Sequence, residues 1–468
     1  MASNDELVDL HPGRQRLALA AAALATAPAF LIRFGELHAS HPVEALLFGL
    51  AIVGAAFAIS WAAEAAQLDI SAGLAIAILA LIAVLPEYAV DFVFTAQGGN
   101  AFQADPTCPP PTPGAESPCD LALANMTGAN RLLIGIGWSM VVFIAWYRLR
   151  KLEPRPPGRR WEGIRLTRDH SIELGFLWVA TLYSLTLPLK HSISLIDTVI
   201  LVGLFAGYTW RVSRAPAEEP HLVGPARYLG SFSTFARRAW VIGLFLFSAT
   251  VIWLFAHRFA EALTETGRAY DINEFLLVQW LAPLASEAPE LLVAGLFAWR
   301  LNTNAGLGTL VSSKVNQWTL LVGTLPIVFA ITSASLHGLP ISDIQREELF
   351  LTAAQSFFAV AILSNLTLSL REAGYLFGLF WAQFIVGAVV PESWHAAERI
   401  GVGILYLVLG VGYLLRDRRQ MPRLVRDAFV TSYAELGEER LQDALEEAEE
   451  EHPSPPHGDG DARPMSPR

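Results

Sequence analysis

The chain has 468 residues, of which 53% are hydrophobic and only 16% are charged, a balance that excludes an ordinary soluble protein and predicts one embedded in lipid. The net charge of −11 comes largely from an acidic run in the C-terminal tail, so it does not describe the apolar part of the chain. The sequence has no Walker motif, Rossmann glycine fingerprint or Cys/His zinc spacing. We therefore predict neither an enzyme nor an ATP-driven pump, and we expect no cofactor and no nucleic-acid partner.

Apolar stretches of about 20 residues, the length that crosses a bilayer, recur along the chain and predict an all-α polytopic membrane protein with about 12 transmembrane helices. The first stretch resembles the apolar region of a signal peptide. We interpret it as a retained helix, because its Ala-x-Ala positions are ordinary in an Ala-rich segment. The predicted spans lie near residues 16–34, 43–65, 70–97, 120–147, 171–188, 192–211, 239–263, 272–299, 304–334, 348–370, 373–390 and 398–415.

The basic residues predict the orientation. Arginines and a lysine cluster between Arg148 and Arg168, after the fourth span, and the positive-inside rule places this loop in the cytoplasm. Alternation then puts both termini in the cytoplasm and the loop that holds Cys108 and Cys119 outside, where an oxidising compartment makes the two cysteines a candidate disulfide. We predict an integral protein of the bacterial plasma membrane, whose partners are membrane lipid and inorganic cations.

Two parts of the sequence follow one plan. WAAEAAQLDIS leading to LIAVLPEYAVDF is echoed by RFAEALTETGRAYDIN leading to LAPLASEAPELLVAG. The third span runs outward and the eighth inward, so the sequence predicts two inverted five-helix repeats plus one extra helix at each end, a frequent transporter architecture. The predicted divisions are 1–42 (cytoplasmic N-terminus and extra helix), 43–212 (first repeat), 213–238 (cytoplasmic linker), 239–391 (second repeat), 392–420 (extra helix) and 421–468 (acidic cytoplasmic tail with a disordered end).

Pro86-Glu87 and Pro289-Glu290 occupy equivalent places in the two repeats, deep within the predicted spans. Proline frees a backbone carbonyl oxygen one turn earlier and glutamate supplies charge, so each pair offers oxygen ligands to a hard cation. The alternative is a kinked helix whose glutamate pairs with an arginine. Two such pairs at equivalent positions favour an ion site, because ionisable groups inside a membrane are costly and usually functional.

Further polar residues share these helical faces or lie on the next helix of each repeat. Glu287 and Asp91 are one turn from the two glutamates, where they extend the ion path or form a vestibule or salt bridge. Lys314 and Arg131 add positive charge, either as coupling groups or as structural ion-pair partners, and we expect Lys314 to contact a glutamate.

Four motifs resemble those of the sodium/calcium exchanger family of the cation/calcium antiporter superfamily. The family carries a G-T-S-L-P-E-like signature and then a G-S-N-like one in each inverted repeat; here they read IAVLPE at 82–87 and ASEAPE at 285–290, then GAN at 128–130 and SSK at 312–314. The resemblance covers spans two to eleven. It implies an antiporter whose metal site lies between the third, fourth, eighth and ninth spans, with the central metal-binding glutamates at Glu87 and Glu290.

Some positions differ from the family pattern. Ala83 and Val84 replace the hydroxyl residues of the first signature, and Leu133 and Gln317 stand where the family has Asn or Asp. The resemblance therefore supports the antiporter class more firmly than any particular pair of ions.

We interpret the chain as a secondary active cation antiporter that moves Ca²⁺ or Na⁺ in exchange for Na⁺ or H⁺ by alternating access. The alternative is a proton-coupled monovalent cation exchanger with Lys314 as an internal counterion; a membrane sensor or an intramembrane enzyme has less support. The candidate ion-binding residues are Glu87, Glu290, Ser286, Glu287, Asn125, Asn130, Ser313 and Gln317, and the candidate coupling or counterion residues are Lys314, Arg131 and Asp91.

Overall fold

The computed structural model describes residues 12–35, 39–69, 85–111, 116–152, 161, 163–215, 222–270, 272 and 274–436, which are mostly helical. The helices of the first half are α1 (Pro12–Phe34), α2 (His41–Ala66), α3 (Leu85–Ala104), α4 (Pro118–Leu132), α5 (Ser139–Leu152), α6 (Ser171–Ser184), α7 (Leu195–Val212) and α8 (Gly224–Gly230). Those of the second half are α9 (Thr234–Tyr270), α10 (Glu274–Trp299), α11 (Thr303–Asn316), α12 (Val322–Ser333), α13 (Asp343–Leu363), α14 (Leu370–Val389), α15 (His395–Asp417) and α16 (Met421–Phe429).

Within the described residues, nine continuous helical segments are long and apolar enough to cross a membrane. The described lengths of α3, α13 and α14 are 20, 21 and 20 residues, and these helices pack among the nine. Together they correspond to the predicted spans, although residues 70–84 of the third span lie outside the described range. Large apolar side chains on the periphery, such as Trp253 at 80% exposure, form a surface suited to lipid. The protein is an integral membrane protein.

Local structure repeats between the two halves. A capping box of Ser194 and Asp197 starts α7, and one of Ser369 and Glu372 starts α14, because in each case the serine and the acidic side chain satisfy backbone amides at the helix start. A short π-helical segment joins α4 to α5, and another joins α11 to α12. The helices of the predicted repeats therefore match in pairs down to their irregularities.

Four two-residue strands are related in the same way. Strand β1 (Ile164–Arg165) pairs antiparallel with β4 (Thr367–Leu368), and β2 (Ser192–Ile193) pairs antiparallel with β3 (Leu339–Pro340). β1 and β3 precede corresponding helices of the two repeats, and so do β2 and β4. Exchanging the repeats thus converts one ladder into the other, as expected of a pseudo-twofold arrangement.

The two repeats meet closely where α4 crosses α10. A side chain at Gly128 of α4 would place its Cβ 1.6 Å from the carbonyl oxygen of Gln279 in α10, so only glycine permits this approach. Pro283 follows Gln279 by four residues and lacks the amide that would bind this carbonyl within the helix. The crossing brings one signature helix from each repeat together at the centre of the molecule.

The additional helices cover the outside of the repeats. α1 packs on α2, and α15 packs on α13. The short tail helix α16 lies against α6, where Arg168 donates hydrogen bonds to both carboxylate oxygens of Asp427 at 2.5 and 2.8 Å. Cys108 and Cys119 form a disulfide that links the end of α3 to the start of α4, with 6.2 Å between their Cα atoms.

Candidate ion-binding site

Three glutamates meet at the interface between the repeats. Glu87 lies near the start of the described part of α3, and Glu287 and Glu290 lie one turn apart on α10. The carboxyl group of Glu287 interacts with those of both Glu87 and Glu290. Glu87 and Glu287 are 2% and 1% exposed, whereas Glu290 is partly buried. Three adjacent carboxyl groups that are largely removed from water require protons or a cation, because neighbouring ionised carboxylates repel one another strongly.

The helix after α10 supplies polar side chains to this trio. Ser313 donates a hydrogen bond to Glu290 at 2.6 Å, and Gln317 donates one to Glu287 at 2.8 Å. Both donors were sequence candidates, and the structure brings both into contact with the carboxyl groups. Within the described residues, no three His, Cys, Asp or Glu side chains are arranged to hold a metal ion by themselves. A cation bound here therefore needs neutral oxygen ligands as well.

Lys314 is fully buried, and its amine is held by the other repeat. The Nζ atom donates to the backbone oxygen of Asn130 at 2.7 Å and to its side-chain oxygen at 2.6 Å. The expected direct contact with a glutamate is not found among the described residues, although the charge of Lys314 acts on Glu287 and Glu87.

Three further sequence candidates have different surroundings. Ser286 donates to carbonyl oxygens within α10, at 3.3 Å to Ala282 and 3.2 Å to Pro283, so its hydroxyl is directed toward its own helix. Asp91 and Asn125 are fully buried next to each other on α3 and α4, one turn away from Glu87.

Arg131 does not lie with the glutamates of the trio. Its guanidinium binds Glu348 of α13 at 2.7 Å, donates to Gln383 of α14, and lies over the ring of Trp280 at 5.1 Å. The Arg131 and Glu348 side chains are only 2% and 3% exposed. Arg131, predicted as a coupling group or a structural ion-pair partner, thus forms an ion pair with Glu348 and does not contact the trio in the described structure.

A second buried polar cluster surrounds this pair. Glu348 also binds Arg399 of α15 at 2.8 Å and accepts a hydrogen bond from Gln279 of α10 at 2.8 Å. Gln279 is on the helix that carries Glu287 and Glu290, so the cluster connects that helix to α13 and α15. Sequence reasoning missed Glu348 and Gln279, because nothing local links residues 69 positions apart.

Tyr88 was also missed. Its hydroxyl donates to the side-chain oxygen of Asn316 at 3.3 Å, which joins α3 to α11 beside the trio. Its position directly after Glu87 was the available signal.

Comparison with known proteins identifies the family. The profile described as "Sodium/calcium exchanger protein" matches residues 42–214 and 240–389, which is more than half of the chain. The chain belongs to the sodium/calcium exchanger family. It is therefore a cation antiporter of a transporter family, with two inverted repeats. A search of curated proteins gave no match.

Two solved exchangers are similar in structure. The crystal structure of the "H+/Ca2+ Exchanger CAX" is 41% identical, superposes with a TM-score of 0.78, and is matched over 88% of this chain and 97% of its own. Native YfkE is 13% identical with a TM-score of 0.51, over 84% of this chain and 100% of its own, which is a likeness of fold. The sequence-based prediction of the family and the antiporter class is confirmed.

Proposed function

We propose that this antiporter exchanges Ca²⁺ for H⁺, and that Glu87, Glu287 and Glu290 bind the two in competition. The observation that carries the proposal is the contact among three carboxyl groups where the repeats meet, those of Glu87 and Glu287 buried and that of Glu290 partly buried. Ca²⁺ prefers carboxylate oxygens completed by neutral oxygens. Ser313 brings a hydroxyl oxygen to the trio. The side-chain amide of Gln317 contacts Glu287 through its nitrogen, and its oxygen, which has no hydrogen-bond partner among the described residues, is available as a further ligand. The similarity to a protein named as an H⁺/Ca²⁺ exchanger supports the same choice.

Competition for the trio explains coupling. Empty, ionised carboxylates are unstable in a medium of low dielectric constant, so the carrier changes its access only when Ca²⁺ or protons neutralise them. Loading from one side by Ca²⁺ then requires release of protons, and the reverse holds on the other side. The exchange is obligatory because the empty, ionised carrier does not change its access.

Lys314 argues against Na⁺ as the coupling ion. Its amine already occupies the two oxygens of Asn130, which would otherwise be ligands for a small cation, and in its protonated form it repels a second monovalent ion. The alternative function is a proton-coupled monovalent cation exchanger, in which a protonated Lys314 acts on Glu287 and Glu87 as an internal counterion and reduces the charge that the transported cation must neutralise.

We propose that the ends of the helices on the arginine-rich side, at Leu152 and Val212, face the cytoplasm, and that the disulfide faces outside. Within the described residues, Arg150 and Lys151 end α5 and Arg211 ends α7, in keeping with the positive-inside rule.

Reconstituted protein tests the ion pair. Proteoliposomes should take up ⁴⁵Ca²⁺ when a pH gradient is imposed and should not respond to a Na⁺ gradient at constant pH. Uptake driven by Na⁺ would overturn the proton assignment. Proton-driven ²²Na⁺ uptake without ⁴⁵Ca²⁺ uptake would favour the monovalent alternative.

A further inference from the structure

Four buried polar side chains between α3 and α4 carry atoms without hydrogen-bond partners among the described residues. These atoms are both carboxylate oxygens of Asp91, both amide atoms of Asn125, the hydroxyl of Thr95 and Oε1 of Glu87. Asp91, Thr95 and Asn125 are 0% exposed. Buried polar groups are nearly always paired, so this cluster requires a ligand or an explanation.

The packing of α3 against α4 brings the four together. A Cβ at Gly98 would lie 3.0 Å from the oxygen of Pro118 and 3.3 Å from the Cα of Cys119, which fixes an antiparallel register. Asp91 lies seven residues, or two turns, before Gly98 on α3, and Asn125 lies seven residues after Pro118 on α4. The antiparallel register therefore sets Asp91 beside Asn125. The Asp91 carboxyl group indeed faces the Asn125 side chain and the backbone amide of Met126.

The four side chains of Glu87, Asp91, Thr95 and Asn125 follow one side of α3 in a row, which we call the file. Glu87, Asp91 and Thr95 are separated by four residues each, so they lie above one another on the helix. The Asp91 charge is close enough to act on Glu87. The file runs from the carboxyl trio toward the disulfide end of the molecule, since Cys108 and Cys119 lie beyond the C-terminal end of α3.

The chemistry of the file matches a hard divalent cation. It offers oxygens from two carboxylates, one hydroxyl and one amide, with a combined charge of about −2 when ionised. Ca²⁺ takes 6 to 8 oxygen ligands of these kinds, with carbonyl groups or water completing the shell. The Asn125 side chain and the Met126 amide face the Asp91 carboxyl group but carry no charge, so an ionised Asp91 would be strongly disfavoured in this position, and a bound cation removes that cost.

We propose that Asp91, Thr95 and Asn125, together with Oε1 of Glu87, form a second Ca²⁺ position on the disulfide side of the carboxyl trio. This inference rests on the proposed Ca²⁺ transport, which it extends by assigning a staging position on one branch of the ion path. An ion moves between the staging position and the trio through Glu87, which faces both.

In the described part of the second repeat, no equivalent position is found. The residues four and eight places after Glu290 are Ala294 and Ala298, both fully buried, where α3 has Asp91 and Thr95. Because the repeats are inverted, these alanines lie on the branch that leads to the arginine-rich side. The staging position therefore serves one face of the membrane only.

Sidedness supplies the test. In proteoliposomes of known orientation, Asp91→Asn should raise the half-saturating ⁴⁵Ca²⁺ concentration at the disulfide face about tenfold and leave it unchanged at the arginine-rich face. Thr95→Val, which keeps the shape of the side chain, should give a smaller rise at the same face. The matched control is Asp105→Asn, since Asp105 is an exposed residue of the loop after α3 and, among the described residues, its carboxylate accepts hydrogen bonds only from Thr107.

A binding measurement separates this inference from the proposed function. Detergent-purified Glu290→Gln should keep a ⁴⁵Ca²⁺ site that Asp91→Asn removes, even if the wild type fails to transport Ca²⁺ and the proposed function is wrong. Asn has the shape of a protonated Asp. If Asp91→Asn matches the wild type at both faces and leaves binding in Glu290→Gln intact, Asp91 is a neutral structural group and the inference is overturned. An equal rise at both faces would also overturn it.

Discussion

Lys314→Asn is expected to strengthen Ca²⁺ binding. The substitution removes a fully buried ammonium whose charge acts on Glu287 and Glu87, and which donates hydrogen bonds of 2.7 and 2.6 Å to Asn130. Two unit charges 4 Å apart interact by about 4 kcal/mol at an effective dielectric constant of about 20. Lys314 lies beyond ion-pair distance of the described carboxylates, so we expect a smaller change of about 1.5 to 3 kcal/mol, or about 10-fold to 150-fold in affinity.

Equilibrium binding of ⁴⁵Ca²⁺ to purified protein measures this change directly. Lys151→Asn is the matched control, because Lys151 is exposed at the end of α5 and should leave affinity unchanged. The pH profile of transport should also change in Lys314→Asn, since protons compete for the same carboxylates. A folded, transporting Lys314→Asn with wild-type affinity and an unchanged pH profile would refute the reasoning and leave Lys314 as a structural partner of Asn130.

Two further predictions concern ion pairs outside the trio. Glu348→Gln should lower the thermal midpoint of the solubilised protein, because Arg131 and Arg399 lose the charge of a buried partner, a change that costs about 3 to 5 kcal/mol when a pair is broken completely; an unchanged midpoint would contradict this. For the tail, burial raises the pKa of Asp427, but hydrogen bonds from Arg168 and Thr431 outweigh burial and lower it. The pair thus stabilises docking of α16 above the ordinary Asp pKa of about 3.9, and the stabilisation is lost as the pH falls through the lowered value. Asp427→Asn should reproduce that loss at pH 7 as faster amide exchange in α16, and unchanged exchange would refute the linkage.

The sequence was sufficient for features with a local pattern. The repeated Pro-Glu pairs predicted which helices carry the central carboxylates, because in each pair the proline and the glutamate proposed to bind a cation are adjacent in the chain. Glu287 could also be predicted, because its spacing of three residues from Glu290 places both on one face of the helix. The arrangement of Glu87, Glu287 and Glu290 into a contacting trio agrees with those expectations.

The partners of the buried cations were beyond sequence reasoning. Arg131 is three residues from Gly128 and was expected near the glutamates, but its partner Glu348 is 217 residues away. Which charged side chains meet depends on how α4 crosses α10 and α13. The periodicity of a sequence does not determine how two helices cross. Lys314 is a similar case, because its amine selects two oxygens of Asn130 in preference to a carboxylate.

The central claim is that the carboxyl trio binds the transported cation, and Glu290→Gln tests it most directly, because it removes the charge and keeps the shape. Glu261→Gln is the matched control, since Glu261 is 43% exposed on α9 and pairs with Arg258. In proteoliposomes with an imposed pH gradient, Glu290→Gln should reduce the initial rate of ⁴⁵Ca²⁺ uptake by at least about 100-fold, while Glu261→Gln retains the wild-type rate. A near wild-type rate in a correctly inserted Glu290→Gln protein would contradict the account.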